Sequence, residues 1–311
     1  MTEPAVTIVV VPRERFSYSQ TSIESVYANT HLPFRLIYVD GRSPAHIKSY
    51  LEAQAQQKGF KLVRTEHYLS PNQARNIGLR LADTKYIVFL DNDVEVAPGW
   101  LSALVQCAEE TNASVVGPLY CIGQPLHEVI HMAGGDARIR ETQGRRRLHE
   151  KHRFCNKRAS EVRAQFRREP CELVEFHCML VRREVFQDLG PLDEALLSTR
   201  EHLDICLTVR EAGGTVWFEP NAVVTYVTAT SFAWTDIPYY LLRWSDSWGR
   251  TSLRHFEQKW KLDTSAGELT NSWLRPHRQI PFRRLRNRLH RILGARLGDG
   301  LVDAVEHLFA P

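Results

Sequence analysis

Two carboxylates, Asp91 and Asp93, stand one residue apart in "FLDNDVEVAPGW" (Phe89–Trp100), directly after the apolar run "YIVFL". Aspartates at positions one and three of a strand end can share a hard divalent cation through oxygen. Such a cation neutralises phosphates held in the same crevice. Asp-Asn-Asp is also ordinary turn chemistry, since these side chains bond to their own backbone. The buried run in front of the pair favours a site over a simple turn. Arg75, early in "PNQARNIGLRLA", carries a guanidinium that suits bidentate contact with a diphosphate. Asp40 ends "FRLIYVD" and can accept a hydrogen bond from a base or ribose, or cap a turn. In "STREHLDICLTVREAGG", Glu201, His202 and Asp204 crowd one helix start, where one of them would take a proton from an attacking hydroxyl. Histidine, with an unperturbed pKa of about 6.5, serves as a base at neutral pH with little tuning. Ser198 and Glu201 also have the spacing of a capping box, which would explain that glutamate structurally.

These residues need a scaffold that brings strand ends together. "AVTIVVVP", "FRLIYVD", "FKLVRTE", "KYIVFL" and "SVVGPLY" are short, apolar and β-branched, as buried strands are. Helical segments separate them: a stretch around Ser22–Asn29, "AHIKSYLEAQAQQKG" ending on Gly59, "PNQARNIGLRLA" with Pro71 near its start, and "PGWLSALVQCAEET". The alternation predicts an α/β fold, a mostly parallel sheet covered by helices on both faces. Ligands of such sheets bind beyond the carboxyl ends of the strands, where Asp40 and the Asp91/Asp93 pair both fall. After Tyr120 the rhythm changes. Residues 134–170 are polar and arginine-rich and are expected to be loops and short elements. "ELVEFHCMLVRREVFQDLG" is a strand then a helix, and "TVWFEPNAVVTYV" is expected to hold two short strands.

The 311 residues carry a net charge of +4, with arginine concentrated beyond the first 130 residues. That distribution points to an anionic partner such as a phosphate-bearing ligand or a membrane surface. None of the six cysteines forms a CxxC pair, so a structural zinc site on cysteine is not expected, and the thiols are read as reduced in a cytoplasmic protein. No apolar stretch approaches the roughly 20 residues that span a bilayer. The tract Phe232–Trp248 is dense in aromatic residues, which suit either a sugar-stacking wall or a helical core. Beyond it "RPHRQIPFRRLRNRLHRILGARLG" holds eight arginines and no acid, with Phe282, Leu285, Leu289, Ile292 and Leu293 at helical spacing. A basic amphipathic helix of this kind fits anionic lipid headgroups, peripheral on the inner face of a membrane. No nucleic-acid recognition motif accompanies the charge.

In order and spacing, "TIVVVP", "YVDGRSP", "ARNIGL", "VFLDNDVEVAPGWL", "CMLVRREVFQDLGPLDE" and "EHLDICLTVREAGG" resemble the family-2 glycosyltransferases of the GT-A fold, over roughly Ala5–Tyr226. The resemblance implies transfer of a sugar from a nucleotide-diphosphate donor, expected to be a UDP-sugar, to an acceptor hydroxyl. Single displacement with inversion and a Mn2+ or Mg2+ cofactor are implied with it. It places Pro12, Arg13, Glu14, Asp40, Arg75, Asp91, Asn92 and Asp93 on the donor, with Asp93 the more direct metal ligand beside Asp91. Glu201 and His202 fall where the family has a Glu-Asp pair that supplies the base. His202 thus replaces an aspartate, Thr208 stands where arginine is common, and Thr225 and Tyr226 occupy the place of a metal-binding histidine. These departures keep open an alternative, a degenerate domain that binds nucleotide-sugar as a scaffold or regulator. A nucleotidyltransferase would carry a glycine-rich signature after the first strand, and "VPRERFS" is not one. The expected organisation is a transferase domain over 1–228, with a nucleotide-sugar half to about 120 and an acceptor half over 121–228. A helical, basic C-terminal extension follows over 229–311. The acceptor class, whether saccharide, lipid-linked or peptide, is left open.

Overall fold

The computed structural model describes residues 4–228, 232–263 and 269–309. Its first half alternates β1 (Val6–Val11), α1 (Ser19–Asn29), β2 (Phe34–Gly41), α2 (Ala45–Lys58), β3 (Lys61–Thr65), α3 (Pro71–Leu81), β4 (Tyr86–Asp91), β5 (Val94–Val96), α4 (Trp100–Thr111) and β6 (Val115–Ile122). Strands β7 (Ile130–Ala133), β8 (Gly135–Thr142) and β9 (Arg145–His152) come next, then the short helix α5 (Ala159–Val162), β10 (Glu169–Cys171), β11 (Cys178–Arg182), α6 (Arg183–Leu189), α7 (Glu201–Glu211) and β12 (Val216–Tyr226). The C-terminal part adds α8 (Ile237–Arg243), α9 (Asp246–Lys259) and the helices Arg283–Leu293 and Ala295–Phe309.

The main sheet runs β10-β12-β6-β11-β4-β1-β2-β3, with β5 also paired to β12 and β7 to β6. β1 is buried at every position and lies parallel to both β2 and β4, because its valines and isoleucine have apolar partners on both faces. The register ends on Val11 opposite Asp91, so the carboxylate emerges beside the loop that follows β1. β11 inserts antiparallel between β4 and β6, which brings the residue before it, His177, to the same edge: its carbonyl accepts from the Asp91 amide at 3.2 Å. α3 starts on a complete capping box between Ser70 and Gln73 with Pro71 at its first position, as its sequence predicts. Gly78 lets α3 close on β1; a Cβ there would stand 2.2 Å from a Val9 methyl carbon.

Three expectations are corrected. The capping box at α7 does not form: Arg200 occupies the N-cap with φ +73°, and the Ser198 hydroxyl is buried without a hydrogen-bond partner among the described residues. "TVWFEPNAVVTYV" is one strand, β12, interrupted by an irregularity between Glu219 and Val223, where Pro220 supplies no amide for the ladder. Residues 134–170 contain an eight-residue-per-arm hairpin, β8–β9, rather than mostly loops. Its turn is Gln143-Gly144, both at positive φ, the geometry a tight hairpin favours.

The C-terminal helices close one side of the sheet's rim. Tyr239, Phe256 and Trp260 belong to the main hydrophobic core. Asp236 accepts from the Phe16 amide at 2.8 Å and the Ser17 amide at 3.1 Å, and the Tyr239 hydroxyl stands 3.2 Å from the Pro12 carbonyl. Phe282 and Val302 bury against Ile237 and Leu241, anchoring the last two helices. Their outer face leaves Ile292 68 %, Leu297 64 % and Leu308 83 % exposed. No helix of the described residues is long and apolar enough to cross a membrane.

Candidate active site

The strand ends open into a cavity of about 450 Å³. The loop after β1 contributes Arg13 and Glu14, α3 contributes Arg75 and β4 contributes Asp91. The segment before β11 adds Glu175, Phe176 and His177, and the start of α7 adds Glu201 and His202. Asp91 and the α7 start, separated by more than a hundred residues in sequence, therefore face one space.

Asp91 is the electrostatic centre. Its Oδ1 accepts from Arg75 Nη2 at 3.0 Å, and its Oδ2 lies 3.2 Å from His177 Nδ1 and 3.4 Å from Arg13 Nε. Burial alone would raise the Asp91 carboxyl, but His177, Arg75 and Arg13 outweigh it and hold it below the usual carboxylate range. Asp93 is the opposite case. Both of its oxygens are buried without a hydrogen-bond partner among the described residues, and burial, only partly offset by Arg13, pushes it up to about 7. Ligand atoms of Asp91, Asp93 and His177 all lie within 4.8 Å of one another. An orphaned, buried carboxylate beside an ionised one and an imidazole is a donor set that fits a divalent cation.

His177 was not among the residues singled out in the sequence, though it directly precedes the strand that opens "CMLVRREVF". Tyr226, at the position where a histidine was expected, stacks on it with ring centroids 4.4 Å apart. The Tyr226 hydroxyl donates to Glu14 at 2.7 Å, and the Arg13 guanidinium sits 4.4 Å over its ring. Arg75 stands 3.9 Å over the Phe176 ring, so its charge is presented by a rigid, buried support.

The remaining donor candidates divide. Asn92 accepts from the Arg13 amide at 3.1 Å and donates to the Arg15 carbonyl at 2.7 Å and to Ser19 Oγ at 3.0 Å; it fixes the loop carrying Arg13 and Glu14. Pro12 faces Tyr239 through its carbonyl. Asp40 does not line this cavity: it is fully buried, accepting from the Ser43 amide at 2.9 Å and hydroxyl at 2.8 Å and from Arg64. Asp204 also stays off the cavity, accepting from Trp260 Nε1 at 2.8 Å and Lys259 Nζ at 2.7 Å, which docks α9 on α7.

At the α7 start, Glu201 lies 3.2 Å from Arg243 of α8. His202 Nε2 is shielded and has no hydrogen-bond partner among the described residues. Burial lowers its pKa, against the pull of Glu175, Glu150 and Glu201, so the ring is neutral around pH 7. The β8–β9 hairpin adds Glu150 and His152, and β7 adds His131. These three also escaped the sequence reading: the charged, exposed β9 gives no apolar signal for Glu150 and His152, and His131 is a single polar residue inside the short apolar β7. Of the aromatic tract, Phe232, Tyr240 and Trp244 line the cavity while Tyr239 is core.

Similarity to known proteins agrees with this architecture. A pre-mycofactocin glycosyltransferase of Mycobacterium tuberculosis is 24% identical over 71% of this chain and 42% of its own length. An uncharacterised protein of Sinorhizobium fredii, y4gI, is 24% identical over 86% of the chain and 29% of its own length. The chain thus spans less than half of these curated relatives. Among solved structures, GalNAc-T7 with UDP, GalNAc and Mn2+ superposes with a TM-score of 0.56 at 18% identity, covering 92% of this chain and 57% of that one. The mannosyltransferase PcManGT of Pyrobaculum calidifontis, in complex with GDP-Man and Mn2+, gives 0.55 at 13% identity, covering 99% and 81%. The fold is GT-A. The profile of the family described as Glycosyl transferase family 2 matches residues 7–190, and the chain belongs to that family.

Proposed function

We propose that this chain transfers a sugar from a nucleotide-diphosphate donor to an acceptor hydroxyl by single displacement with inversion. The observation that carries the reading is Asp93: a carboxylate buried with no partner among the described residues, within ligand distance of Asp91 and His177 and under the charge of the cavity-lining Arg13. Asp91, Asp93 and His177 would hold a divalent cation, Mn2+ or Mg2+, which when bound would offset the charge of the leaving diphosphate. Arg13 and Arg75 add fixed positive charge on the same side, and their ion pairs with Asp91 hold them in place without rearrangement. On the other side His202 offers an unpartnered ring nitrogen to the acceptor hydroxyl and takes its proton; Glu201, engaged by Arg243, is the weaker candidate base. Alignment of the two substrates in one closed space supplies much of the remaining acceleration. Phe232, Tyr240 and Trp244 give the cavity an apolar face suited to a sugar ring.

A UDP-sugar is the donor proposed, with GDP-sugars as the comparison, since the two structural neighbours hold one nucleotide each. The exposed Ile292 on the arginine-rich helix Arg283–Leu293, with Leu297 and Leu308 exposed on the helix after it, supports a peripheral attachment to anionic membrane. A thermal-shift screen of nucleotide diphosphates and nucleotide sugars with Mn2+ tests the donor. Donor consumption with a panel of saccharide, lipid-linked and peptide acceptors then tests turnover. Stabilisation by a nucleotide-sugar without consumption under any acceptor would favour the scaffold reading, for which His202 in place of an aspartate and Thr225 and Tyr226 in place of a histidine are the motive.

A further inference from the structure

The cavity holds a second set of ligating atoms, separate from Asp91, Asp93 and His177. His131 on β7, His152 at the end of β9 and Glu175 before β11 present ring nitrogens and a carboxylate that all lie within 4.8 Å of one another. His131 Nε2 is 3.0 Å from Glu175 Oε2, and His152 Nε2 is 3.8 Å from Glu175 Oε1. Two ligands about 2.1 Å from a tetrahedral ion stand about 3.4 Å apart, and the observed separations bracket that value. The Glu175 carboxylate is buried, yet its Oε2 makes no hydrogen bond among the described residues, although His131 and His177 nitrogens approach it to 3.0 and 3.2 Å. The imidazoles are close to that oxygen but are not aimed at it as donors. A network built for imidazole–carboxylate hydrogen bonds would aim them so; ligands around a common centre do not. The His131 and His152 rings meet edge to face with centroids 5.2 Å apart, which brings their nitrogens towards one point.

We infer that His131, His152 and Glu175 form a second metal site, selective for a borderline-soft divalent cation of the Zn2+ class. Two imidazoles and one carboxylate are a set that zinc takes, leaving a fourth position open. All three residues line the cavity, so that position faces the substrate space. Glu150, held at 2.6 Å by Arg200, has its other oxygen 3.2 Å from the same His152 Nε2, which places a further carboxylate at the edge of the set. The fourth position would take an oxygen of the acceptor, or a water ahead of it. The three-residue site stands on its own geometry; only the acceptor as occupant of the fourth position rests on the glycosyl-transfer reading.

The test uses full-length, tag-free protein with no nucleotide-sugar or acceptor present. After chelation, Zn2+ is titrated calorimetrically, and Co2+ is added separately and followed by visible absorption. The expected result is a Zn2+ site retained in Asp93→Asn and weakened in His131→Gln and His152→Gln by more than the roughly 10–100-fold that loss of an outer-shell partner causes. Co2+ should give the intense visible band of a low-coordinate, nitrogen-ligated ion. Near-UV circular dichroism reports whether each variant is folded, and the cobalt spectrum of the unaltered protein decides the question if the variants are not. Absence of Zn2+ binding in the unaltered protein, a weak octahedral cobalt spectrum, or Zn2+ binding lost in Asp93→Asn but kept in both histidine variants would each overturn the inference.

Discussion

His177 faces Asp91 across 3.2 Å through Nδ1 and Glu175 across 3.2 Å through Nε2, so one buried imidazole touches two acids that belong to different groups of the cavity. Replacing it should disturb the Asp91 carboxylate more than the fold. His177→Ala is expected to weaken Mn2+-promoted donor binding by more than the roughly 10–100-fold that loss of an outer-shell partner causes. Titration of nucleotide diphosphate with and without Mn2+ measures this; a Mn2+ effect as large as in the parent would exclude His177 from the site.

Asp93 has a pH signature of its own. Its folded pKa, about 7, lies above the ordinary aspartate value, so the folded state holds the proton more tightly than the unfolded chain. Its contribution to stability is full below about pH 4 and is lost as pH rises towards 7. In EDTA, Asp93→Asn should flatten that decline, and in the parent Mn2+ should offset it near pH 7. Urea unfolding at pH 5 and pH 7 provides the comparison. Identical pH dependence in parent and variant would remove the orphaned carboxylate as its source.

His202→Ala should lower kcat by about 10²–10⁴ while leaving nucleotide affinity near the parent value. Because burial depresses the His202 pKa, the acidic limb of the kcat profile should lie below the ordinary histidine range. Glu201→Gln is the companion variant. If it abolishes turnover while His202→Ala remains active, the base is Glu201.

Gly78→Ala should destabilise the protein by about 1–3 kcal/mol, since the added methyl meets Val9 at 2.2 Å on the buried central strand. A Tm equal to that of the parent would mean that α3 can move away from β1 at no cost.

Ile292→Ser combined with Leu297→Ser tests the outer face of the last two helices without stripping Phe282 and Val302 from their buried cluster. Sedimentation with anionic vesicles should fall at least several-fold, the direction expected when apolar surface leaves an interfacial helix. Unchanged sedimentation would assign the exposed leucines another purpose.

The first half of the fold is legible in the sequence because its strands are β-branched runs buried on both faces, separated by helices with clear signals such as Ser70-Pro71 and Gly59. Asp91 and its edge position follow from that pattern, and so does its approach to Glu201 and His202 once a parallel sheet is assumed. The β8–β9 hairpin is not legible: "RRRLHEKH" is mostly exposed and is held by pairing, so no periodic burial marks it. His131, His152 and Glu175 lie on three separate segments, and no spacing rule joins them before the chain folds. His177 had a usable signal, since a residue entering an antiparallel neighbour of β4 must emerge at the Asp91 edge.

The carboxylate of Asp236 secures the backbone of Phe16 and Ser17 from 220 and 219 positions further along the chain. A ribosome must therefore release Asp236 before the loop carrying Arg13 and Glu14 can settle. Nascent fragments that stop short of Asp236 would own the complete parallel strands but an unsecured Arg13–Glu14 loop, so the proposed donor binding should appear only once that segment has emerged, and all at once.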